Sequence, residues 1–343
     1  MKKIIQKTAL IVKNLATSIL IGIQKNKSMK KAFWTFLTKK LKGPSNISIE
    51  LTNACNSKCI MCPRDKMTRC IKYMDWKLFT KIVDECAKLK ISVIAPFMYG
   101  EPLLHPNLIK YIEYIKKKTD SIVTLNTNGQ LLNEDMSKRL LNAKIDTLMI
   151  SIDGATKKTY EKIRKGLSFE KVTKNLENFI RLRNRGKYNT KIELFFVKMK
   201  ENEHEVKDFL KKWKHKVDFI CVSNYNLYTG EVKDRRTEDQ KQTRITERFP
   251  CPKLWTELTV LADGKVALCC MDFDGKVILG DANKESLLNI WKNEKYNKIR
   301  KMHIRGKFPY PCSNCNAINE IPNFNYIMVS YLPFSRRLLK IFK

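Results

Sequence analysis

Six short apolar segments alternate with helical segments between residues 46 and 222, and this order constrains the fold more than any other feature. The predicted strands are 47–51, 92–97, 121–125, 147–152, 191–197 and 217–222. The predicted helices between them are 76–89, 108–117, 134–141, 157–183 and 203–213. Such repeats form a parallel sheet with helices outside it. Six units fall short of the eight in a closed barrel, so we expect an α/β fold with a partial (β/α)6 TIM-like barrel.

The pattern changes after residue 223. Residues 224–249 are polar and charged, which is typical of a linker. A hairpin is predicted next, with strands at 258–262 and 265–269 around a two-residue Asp263-Gly264 turn, and then a helix over 286–302. The predicted domains are a basic amphipathic segment (1–45), the barrel (46–223), the linker (224–249), a small cysteine-rich hairpin-plus-helix domain (250–320) and a basic amphipathic tail (321–343).

The chain contains 11 cysteines, whose use depends on the redox compartment. Disulfides would need an oxidising compartment and therefore an export signal. The apolar run at 8–23 is broken by Lys13 and Asn14, no small-residue cleavage site follows it, and it is too short to span a bilayer. We therefore expect a cytoplasmic protein whose clustered cysteines bind metal.

Cys55, Cys59 and Cys62 follow the first predicted strand with the spacing C-x3-C-x2-C. Three thiolates on one loop can face one metal centre, and a set of three leaves one iron of a cluster open to a further ligand. A zinc loop is the alternative, although zinc sites usually combine a C-x2-C motif with a second such motif or a histidine pair.

This spacing after the first strand of a partial barrel resembles the signature of radical S-adenosylmethionine (SAM) enzymes. The resemblance implies that Cys55, Cys59 and Cys62 bind a [4Fe–4S] cluster, whose fourth iron is chelated by the amino and carboxyl groups of SAM. Met61 stands where the family commonly has an aromatic residue near the adenine, and it is a soft apolar substitute.

Later strand ends carry further matches to the same family. Residues 99–102 (Tyr-Gly-Glu-Pro) resemble its Gly-Gly-Glu-Pro segment, with Tyr99 in place of the first glycine. Asn-Thr-Asn-Gly at 126–129 and Ser-Ile-Asp-Gly at 151–154 end the next two strands, and Tyr160-x3-Arg164 follows. Each match alone also fits an ordinary turn or a solvated helix. Together they imply SAM contacts from Met61, Gly100, Glu101, Asn128, Ser151, Asp153 and Arg164.

A second set of cysteines lies near the C-terminus, and four thiolates there would make a closed site that stabilises a small fold. A structural zinc site is the alternative. The order of Cys251, Asp263-Gly264, Cys269 and Cys312-x2-Cys315 resembles the shorter SPASM/twitch extension of radical SAM enzymes. That resemblance implies one auxiliary [4Fe–4S] cluster, with Cys251, Cys269, Cys312 and Cys315 as ligands.

The neighbouring thiols Cys269 and Cys270 leave a choice. Adjacent residues on a strand point to opposite faces, so only one of them would reach the cluster, and we predict Cys269. No cysteine follows Cys315, so a second auxiliary cluster is not expected.

The resemblance implies reductive cleavage of SAM to a 5′-deoxyadenosyl radical that abstracts hydrogen, with an electron donor such as flavodoxin or ferredoxin. Relatives with one auxiliary cluster include dehydrogenases of aminocyclitol alcohols, and others modify peptides or sugars. We therefore predict oxidation, epimerisation or related modification of a small or carrier-linked substrate such as a polyol, a sugar or a lipid-linked intermediate. Maturation of a peptide or protein side chain is the alternative within the class.

The formal net charge is +33, and 11 lysines with no acidic residue precede residue 50. Such an excess raises nucleic acid or anionic membrane as a partner. An RNA-binding module with two zinc sites would explain the charge but not the six repeats or the three-cysteine loop, so nucleic acid is not expected. Apolar residues recur at helical spacing among the basic residues of both ends, which indicates peripheral docking on the inner membrane face. Packing of these helices on the barrel is the alternative.

Overall fold

A computed structural model describes residues 27–40, 42–242, 248 and 250–317 of the 343-residue chain. The main-sheet strands are β1 (Asn46–Ile49), β2 (Val93–Ala95), β3 (Ile122–Thr127), β4 (Thr147–Ser151), β5 (Lys191–Lys198), β6 (Phe219–Asn224), β7 (Glu257–Val260), β8 (Lys265–Ala267) and β9 (Ile278–Asp281). The α-helices are α1 (Lys27–Lys40), α2 (Trp76–Leu89), α3 (Leu108–Lys118), α4 (Glu134–Asn142), α5 (Lys157–Ile163), α6 (Phe169–Arg185), α7 (Val206–Trp213), α8 (Glu238–Gln242), α9 (Lys253–Thr256), α10 (Leu287–Lys292) and α11 (Glu294–Ile304). Among the described residues, no helix is long and apolar enough to cross a membrane.

The strands form one nine-stranded sheet in the order β9-β8-β7-β1-β2-β3-β4-β5-β6. Strands β1 to β6 run parallel to one another, as the six predicted repeats require. Along β5, Ile192, Leu194 and Phe196 are buried while the residues between them are half-buried. This alternation places one face of the sheet against the helices and leaves the other face open, which confirms the predicted partial α/β barrel.

Helix α2 shows why these segments become helices that pack on the sheet. Asp75 caps its N-terminus by accepting a hydrogen bond from the Leu78 N–H at 2.9 Å. Its buried residues recur at helical spacing and are Leu78, Phe79, Ile82, Val83 and Cys86. Burial of this stripe fixes the helix against the core of the barrel.

The C-terminal hairpin continues the barrel sheet, which the sequence did not indicate. Strand β7 pairs in parallel with β1, with Ile47 opposite Leu258, and β8 and β9 follow in antiparallel pairing. Buried Glu50, just after β1, accepts two hydrogen bonds from Arg69 at 2.7 and 2.9 Å and one from the Ala262 N–H at 3.0 Å. The barrel and the small domain are therefore joined by backbone pairing and by the hydrogen bond from the Ala262 N–H to Glu50, which is itself ion-paired with Arg69 inside the barrel.

Two predicted helices are interrupted, and one predicted turn is longer than expected. The helix expected over 157–183 breaks into α5 and α6, because Arg164–Lys165 pairs with Lys58–Cys59 as a separate two-stranded sheet. The helix expected over 286–302 breaks at Asn293, whose extended backbone and side-chain cap start α11. The predicted two-residue Asp263-Gly264 turn was wrong. Leu261 bonds to Lys265 across three residues, and Gly264 has a φ of +86°, a conformation that suits glycine.

The described part of the predicted linker, residues 224–242 and 248, is partly buried rather than fully solvated. Tyr225 is fully buried, Thr229 and Thr237 are nearly so, and α8 lies within this stretch. The local run of polar residues does not reveal this packing, because its partners come from distant parts of the chain. The predicted domain boundaries remain predictions.

Helix α1 and residues 42–45 are the described part of the predicted basic N-terminal segment; residues 1–26 and 318–343 lie outside the described residues. The Trp34 ring lies 4.5 Å from the ring of Trp255, and Trp255 Nε1 donates to Thr38 Oγ1 at 2.8 Å. This face of α1 therefore packs against the C-terminal domain. Met29 and Phe36, on the other face, are 50% and 58% exposed.

Candidate active site

The loop after β1 carries the first predicted ligand set. Ser57 Oγ lies 3.3 Å from the Cys55 sulfur and 3.4 Å from the Cys59 sulfur, so it holds these thiols on one side of the loop. The Ile60 N–H donates to the Ile163 carbonyl at 2.9 Å, beside the short pairing with residues 164–165. The three-cysteine loop is therefore anchored to the end of α5.

Arg164 stands directly opposite Cys59 in this pairing. Its guanidinium bonds to Asp153 at 2.6 and 2.7 Å, and its Nη1 lies 4.0 Å from the Cys59 sulfur. Burial lowers the pKa of Arg164, but the negative charges of Asp153 and Cys59 outweigh that effect and raise it. Burial raises the pKa of Cys59, and Arg164 opposes the rise. Arg164 thus favours the ionised form of the Cys59 thiol, while burial and the nearby Asp153 disfavour it.

Glu101 joins two strand-end loops through its buried carboxylate. It accepts hydrogen bonds from Thr127 Oγ1 at 2.6 Å, the Asn128 N–H at 2.8 Å and the Leu103 N–H at 3.1 Å. Burial raises its pKa, and these hydrogen bonds act against the rise. Because the carboxylate is already engaged with the protein, Glu101 contributes to the site by ordering the loops after β2 and β3.

Gly100 allows the loop after β2 to lie against the loop that precedes Cys55. A Cβ atom at this position would stand 2.1 Å from the Thr52 carbonyl oxygen and 2.6 Å from that of Ala54. The neighbouring Glu101 N–H donates to the same Ala54 carbonyl at 2.8 Å. Glycine is therefore required at position 100. The atoms that a Cβ would meet belong to the backbone, which cannot move away as the end of a flexible side chain could.

Gly100→Ala is expected to displace the three-cysteine loop and to lower the iron content and the unfolding temperature, at a cost of about 1–3 kcal/mol from overpacking. Gly43→Ala is the matched control, since its Cβ would meet only Leu89 Cδ2 at 3.6 Å and Leu288 Cδ1 at 4.0 Å. Iron analysis and thermal unfolding compare the two variants. Equal iron content and equal unfolding temperatures would contradict the assigned role of Gly100.

The remaining predicted SAM contacts lie along the same rim of the sheet. Asn128 Nδ2 donates to Asn56 Oδ1 in the cysteine loop at 2.7 Å. Ser151 Oγ donates to Asn126 Oδ1 at 3.1 Å. Met61 is buried in a small apolar cluster with Cys59 and Tyr225. The structure thus brings the carboxyl ends of β2, β3 and β4 to the cysteine loop, and Asn56 and Ser57 are contributors that the sequence reasoning missed.

The auxiliary set is assembled from three separate parts of the chain. Cys251 precedes α9, Cys269 and Cys270 follow β8, and Cys312 and Cys315 flank a short 3-10 turn. Burial, together with the nearby Cys315 thiol, raises the pKa of Cys251 and of Cys312 to about 12. The thiols of this set therefore lie near one another.

Strand alternation does not separate Cys269 from Cys270, because β8 ends at Ala267 and both thiols lie in the following turn. A hydrogen-bond pattern now distinguishes them. The Cys269 sulfur accepts from the Met271 N–H at 3.4 Å. The Cys62 and Cys251 sulfurs likewise accept from backbone N–H groups two residues later. Cys270 instead has the Lys253 ammonium beside it. Backbone donors of this kind stabilise metal-bound thiolates.

Cys269→Ala is expected to lose the auxiliary iron, whereas Cys270→Ala is expected to retain it. The reason is the Met271 N–H, which already points at the Cys269 sulfur. Iron analysis with electron paramagnetic resonance of both variants checks this prediction. Loss of iron from the Cys270 variant alone would reverse the assignment.

Arg248 is a positioning residue that the sequence reasoning missed. Its guanidinium donates to the carbonyl oxygens of Ser313, Cys312 and Cys315 at 2.9, 2.8 and 2.6 Å and lies over the Phe308 ring. Three bonds from one planar group fix the turn that carries the last two thiols. An isolated arginine in a charged stretch has no signal that would have revealed this role.

Among the described residues, no three His, Cys, Asp or Glu side chains converge as a bound metal ion would require. The donor chemistry of the two sets nevertheless fits iron–sulfur clusters. Each set offers several neighbouring thiols, and in the first set Arg164, paired with Asp153, lies beside Cys59. The first loop offers three thiols, as a cluster with one open iron would need, and the second set offers enough thiols to bind every iron of a cluster.

Sequence models of two families match this chain. The radical SAM superfamily matches residues 49–212, and an iron–sulfur cluster-binding domain, SPASM, matches residues 251–316. The chain therefore belongs to the radical SAM superfamily. Within that superfamily it is an enzyme with a C-terminal SPASM domain, and its cofactors are SAM, a [4Fe–4S] cluster and auxiliary iron–sulfur.

Three curated relatives show similar sequences. An uncharacterized protein of Treponema pallidum is 25% identical over 66% of this chain, which spans 64% of that relative. The tungsten-containing aldehyde ferredoxin oxidoreductase cofactor-modifying protein of Pyrococcus furiosus is 26% identical over 78% of this chain and 86% of its own length. The SAM-dependent 2-deoxy-scyllo-inosamine dehydrogenase of Niallia circulans is 25% identical over 83% of this chain and 98% of its own length.

Two solved structures share the fold at low sequence identity. BtrN in complex with AdoMet and 2-DOIA is 21% identical with a TM-score of 0.56, over 80% of this chain and 94% of that one. Streptococcus suis SuiB bound to the precursor peptide SuiA is 17% identical with a TM-score of 0.64, over 82% of this chain and 71% of that one. Both similarities support the α/β fold.

Proposed function

We propose that this enzyme abstracts hydrogen from a polyol, a sugar or a carrier-linked intermediate of similar size and thereby oxidises or epimerises it. The observation that carries the proposal is the three-cysteine loop, which faces Arg164 and is bordered by the rim of three parallel strands. Bound SAM and the cluster supply the radical chemistry when an electron is delivered. The name of the Niallia circulans relative, a dehydrogenase of an aminocyclitol, supports a substrate of the polyol class.

The residues have separate roles in this proposal. Cys55, Cys59 and Cys62 bind the radical cluster, and Cys251, Cys269, Cys312 and Cys315 bind the auxiliary one. Met61, Gly100, Asn128, Ser151, Asp153 and Arg164 shape or contact the SAM site, and Glu101 orders its loops. A flavodoxin or a ferredoxin in the cytoplasm supplies the electron. A peptide substrate is the second candidate, because the fold is shared with a structure that holds a precursor peptide.

Anaerobic reconstitution tests the proposed chemistry. The holoprotein is expected to hold about eight irons in two four-iron clusters and to form 5′-deoxyadenosine from SAM and dithionite. Screening polyols, sugars and peptides for an increase in that product then tests the substrate class. Colourless protein that binds zinc and forms no 5′-deoxyadenosine would contradict the proposal.

We further propose that the basic N-terminal part places the enzyme on an anionic membrane surface. Met29, Phe36 and Lys39 lie at helical spacing on one side of α1 and are all exposed. Apolar and basic side chains on one face suit the boundary between lipid headgroups and acyl chains. The opposite face of α1 is held by Trp255, so its exposed face is fixed outward.

Phe36→Ser combined with Lys39→Glu is expected to reduce sedimentation with anionic vesicles, because each lysine near the leaflet contributes about 1 kcal/mol. Phe219→Ser is the matched control, since Phe219 is 56% exposed on β6 far along the chain from α1. Binding of the wild type should fall as salt rises. Equal binding to neutral and anionic vesicles, or no effect of the double variant, would argue against this docking.

A further inference from the structure

Two tyrosines lie between the two sets of cysteines. Tyr99, which stands where the family commonly has glycine, is only 8% exposed, and its hydroxyl donates to the carbonyl oxygen of Cys270. The ring of Tyr228 lies 6.2 Å from the ring of Tyr99, and the ring of Phe273 lies 6.1 Å from Tyr99 on another side. Tyr99 therefore connects the barrel rim to the turn that carries the auxiliary thiols.

Thiols of both cysteine sets contribute to the raised pKa of each phenol. Burial raises the pKa of Tyr99, and the thiols of Cys270 and Cys62 raise it further. Burial also raises the pKa of Tyr228, with the same two thiols contributing. Cys62 belongs to the loop after β1 and Cys270 to the turn after β8; Tyr99 reaches that turn through its hydroxyl, and Tyr228 lies beside Tyr99.

The chain around Tyr228 contacts both sites as well. Tyr225 is fully buried beside Met61 and Cys59. Asn316, next to Cys315, accepts from the Leu227 N–H at 2.8 Å and donates to the Tyr225 carbonyl at 2.9 Å. This bridging segment, residues 225–230, thus spans the radical-site loop and the auxiliary turn and carries Tyr228 between them.

The backbone of the bridging segment is unfavourable at its centre. Tyr228 and Thr229 have φ values of 42° and 63°, in the left-handed region that residues with side chains rarely adopt. Such conformations persist only where the surroundings hold them, and they concentrate at ligand sites. The packing of Tyr225 and the two bonds from Asn316 provide that support, and Tyr228 remains only half-buried.

We propose that Tyr99 and Tyr228 close the space between the two cysteine sites to all but a small polar substrate, so that a polyol or sugar enters and an extended peptide does not. This inference rests on the proposed function. A glycine at position 99 would leave this volume open. Here it is filled by the Tyr99 phenol, which is attached to the loop after β2 and bonded through its hydroxyl to the Cys270 carbonyl. An extended peptide would have to displace both rings, whereas a small polyol would meet Tyr228, which is half-buried.

Deuterium transfer into 5′-deoxyadenosine tests the size limit in the reconstituted holoenzyme. The two probes are glycerol and an alanine pentapeptide, each deuterated on carbon and supplied at equal concentration with SAM and dithionite. One electron from dithionite releases methionine, a C–D bond of the probe breaks, and the deuterium ends in 5′-deoxyadenosine. The glycerol radical then loses its hydroxyl proton to water and one electron, which offsets the electron that cleaved SAM, and a carbonyl product remains. The pentapeptide radical is instead reduced by a second dithionite electron and takes a proton from water.

Wild-type enzyme is expected to take deuterium from glycerol and none from the pentapeptide. Tyr99→Gly combined with Tyr228→Gly is expected to raise peptide labelling to the glycerol level, and Tyr99→Phe, which keeps the ring, is expected to exclude the peptide as before. Tyr228→Gly alone suits the left-handed backbone at that position, so it provides a second opened variant that folds. The affinity of each holoprotein for the pentapeptide, measured by calorimetry, should be higher in the opened variants than in the wild type and the Tyr99→Phe variant.

Three outcomes are distinguishable. Peptide labelling in the wild type, or no gain in the opened variants, would overturn the size limit while leaving the radical chemistry in place. Absence of 5′-deoxyadenosine from every sample would remove the proposed function and this inference with it. Iron content, measured in each variant, shows that both clusters are present when the labels are compared.

Discussion

Replacing Cys55, Cys59 and Cys62 together by Ala is expected to abolish SAM cleavage and to leave the auxiliary iron in place. The open iron that SAM binds exists only where three thiolates hold the cluster, so no 5′-deoxyadenosine should form. The auxiliary thiols lie on other elements, and Arg248 holds two of them through its own hydrogen bonds. About half of the iron should therefore remain, since four of about eight irons belong to each cluster.

The matched control removes Cys70, Cys86 and Cys221, which lie outside both predicted ligand sets. Cys86 is fully buried on α2, Cys70 is exposed, and Cys221 is half-buried on β6. This second triple variant should keep the iron and the activity of the wild type. If the first variant still formed 5′-deoxyadenosine under reduction, the radical cluster would have to be assigned to other residues.

Glu50→Ala is expected to lower the free energy of unfolding by about 3–5 kcal/mol, because removal of one partner leaves a largely buried charge uncompensated. Glu50 is fully buried, and the Arg69 side chain that bonds to it is 13% exposed. The change also leaves the Ala262 N–H without its acceptor. Because Glu50 bonds to the hairpin as well as to Arg69, the contact between the barrel and the hairpin beside β1 should also weaken.

Denaturant unfolding of the iron-loaded protein measures this effect. Glu134→Ala is the matched control, since the exposed pair Glu134–Lys138 has side chains 53% and 57% exposed. Pairs at the surface contribute only about 0–1 kcal/mol. A Glu50 variant no less stable than the Glu134 variant would contradict the contribution assigned to this buried ion pair.

Much of the barrel was predictable because its signal is local. Apolar residues at alternating and helical spacing identified six parallel strands, and the prediction for α2 matched its observed bounds. The predictions failed where a distant segment decides the local structure. Residues 164–165 leave the helical pattern because they pair with residues 58–59, about one hundred positions earlier. No window around Arg164 contains that information.

The same division applies to the site. The spacing of Cys55, Cys59 and Cys62 is a property of one loop, so the sequence by itself predicted the first ligand set and indicated the family, which the family models confirm. Only the tertiary structure placed Arg164 beside Cys59, joined β7 to β1, and brought Tyr99 and Tyr228 between the two sites. These contacts depend on strand register and on packing between segments far apart in the chain, and hydrophobic periodicity specifies neither.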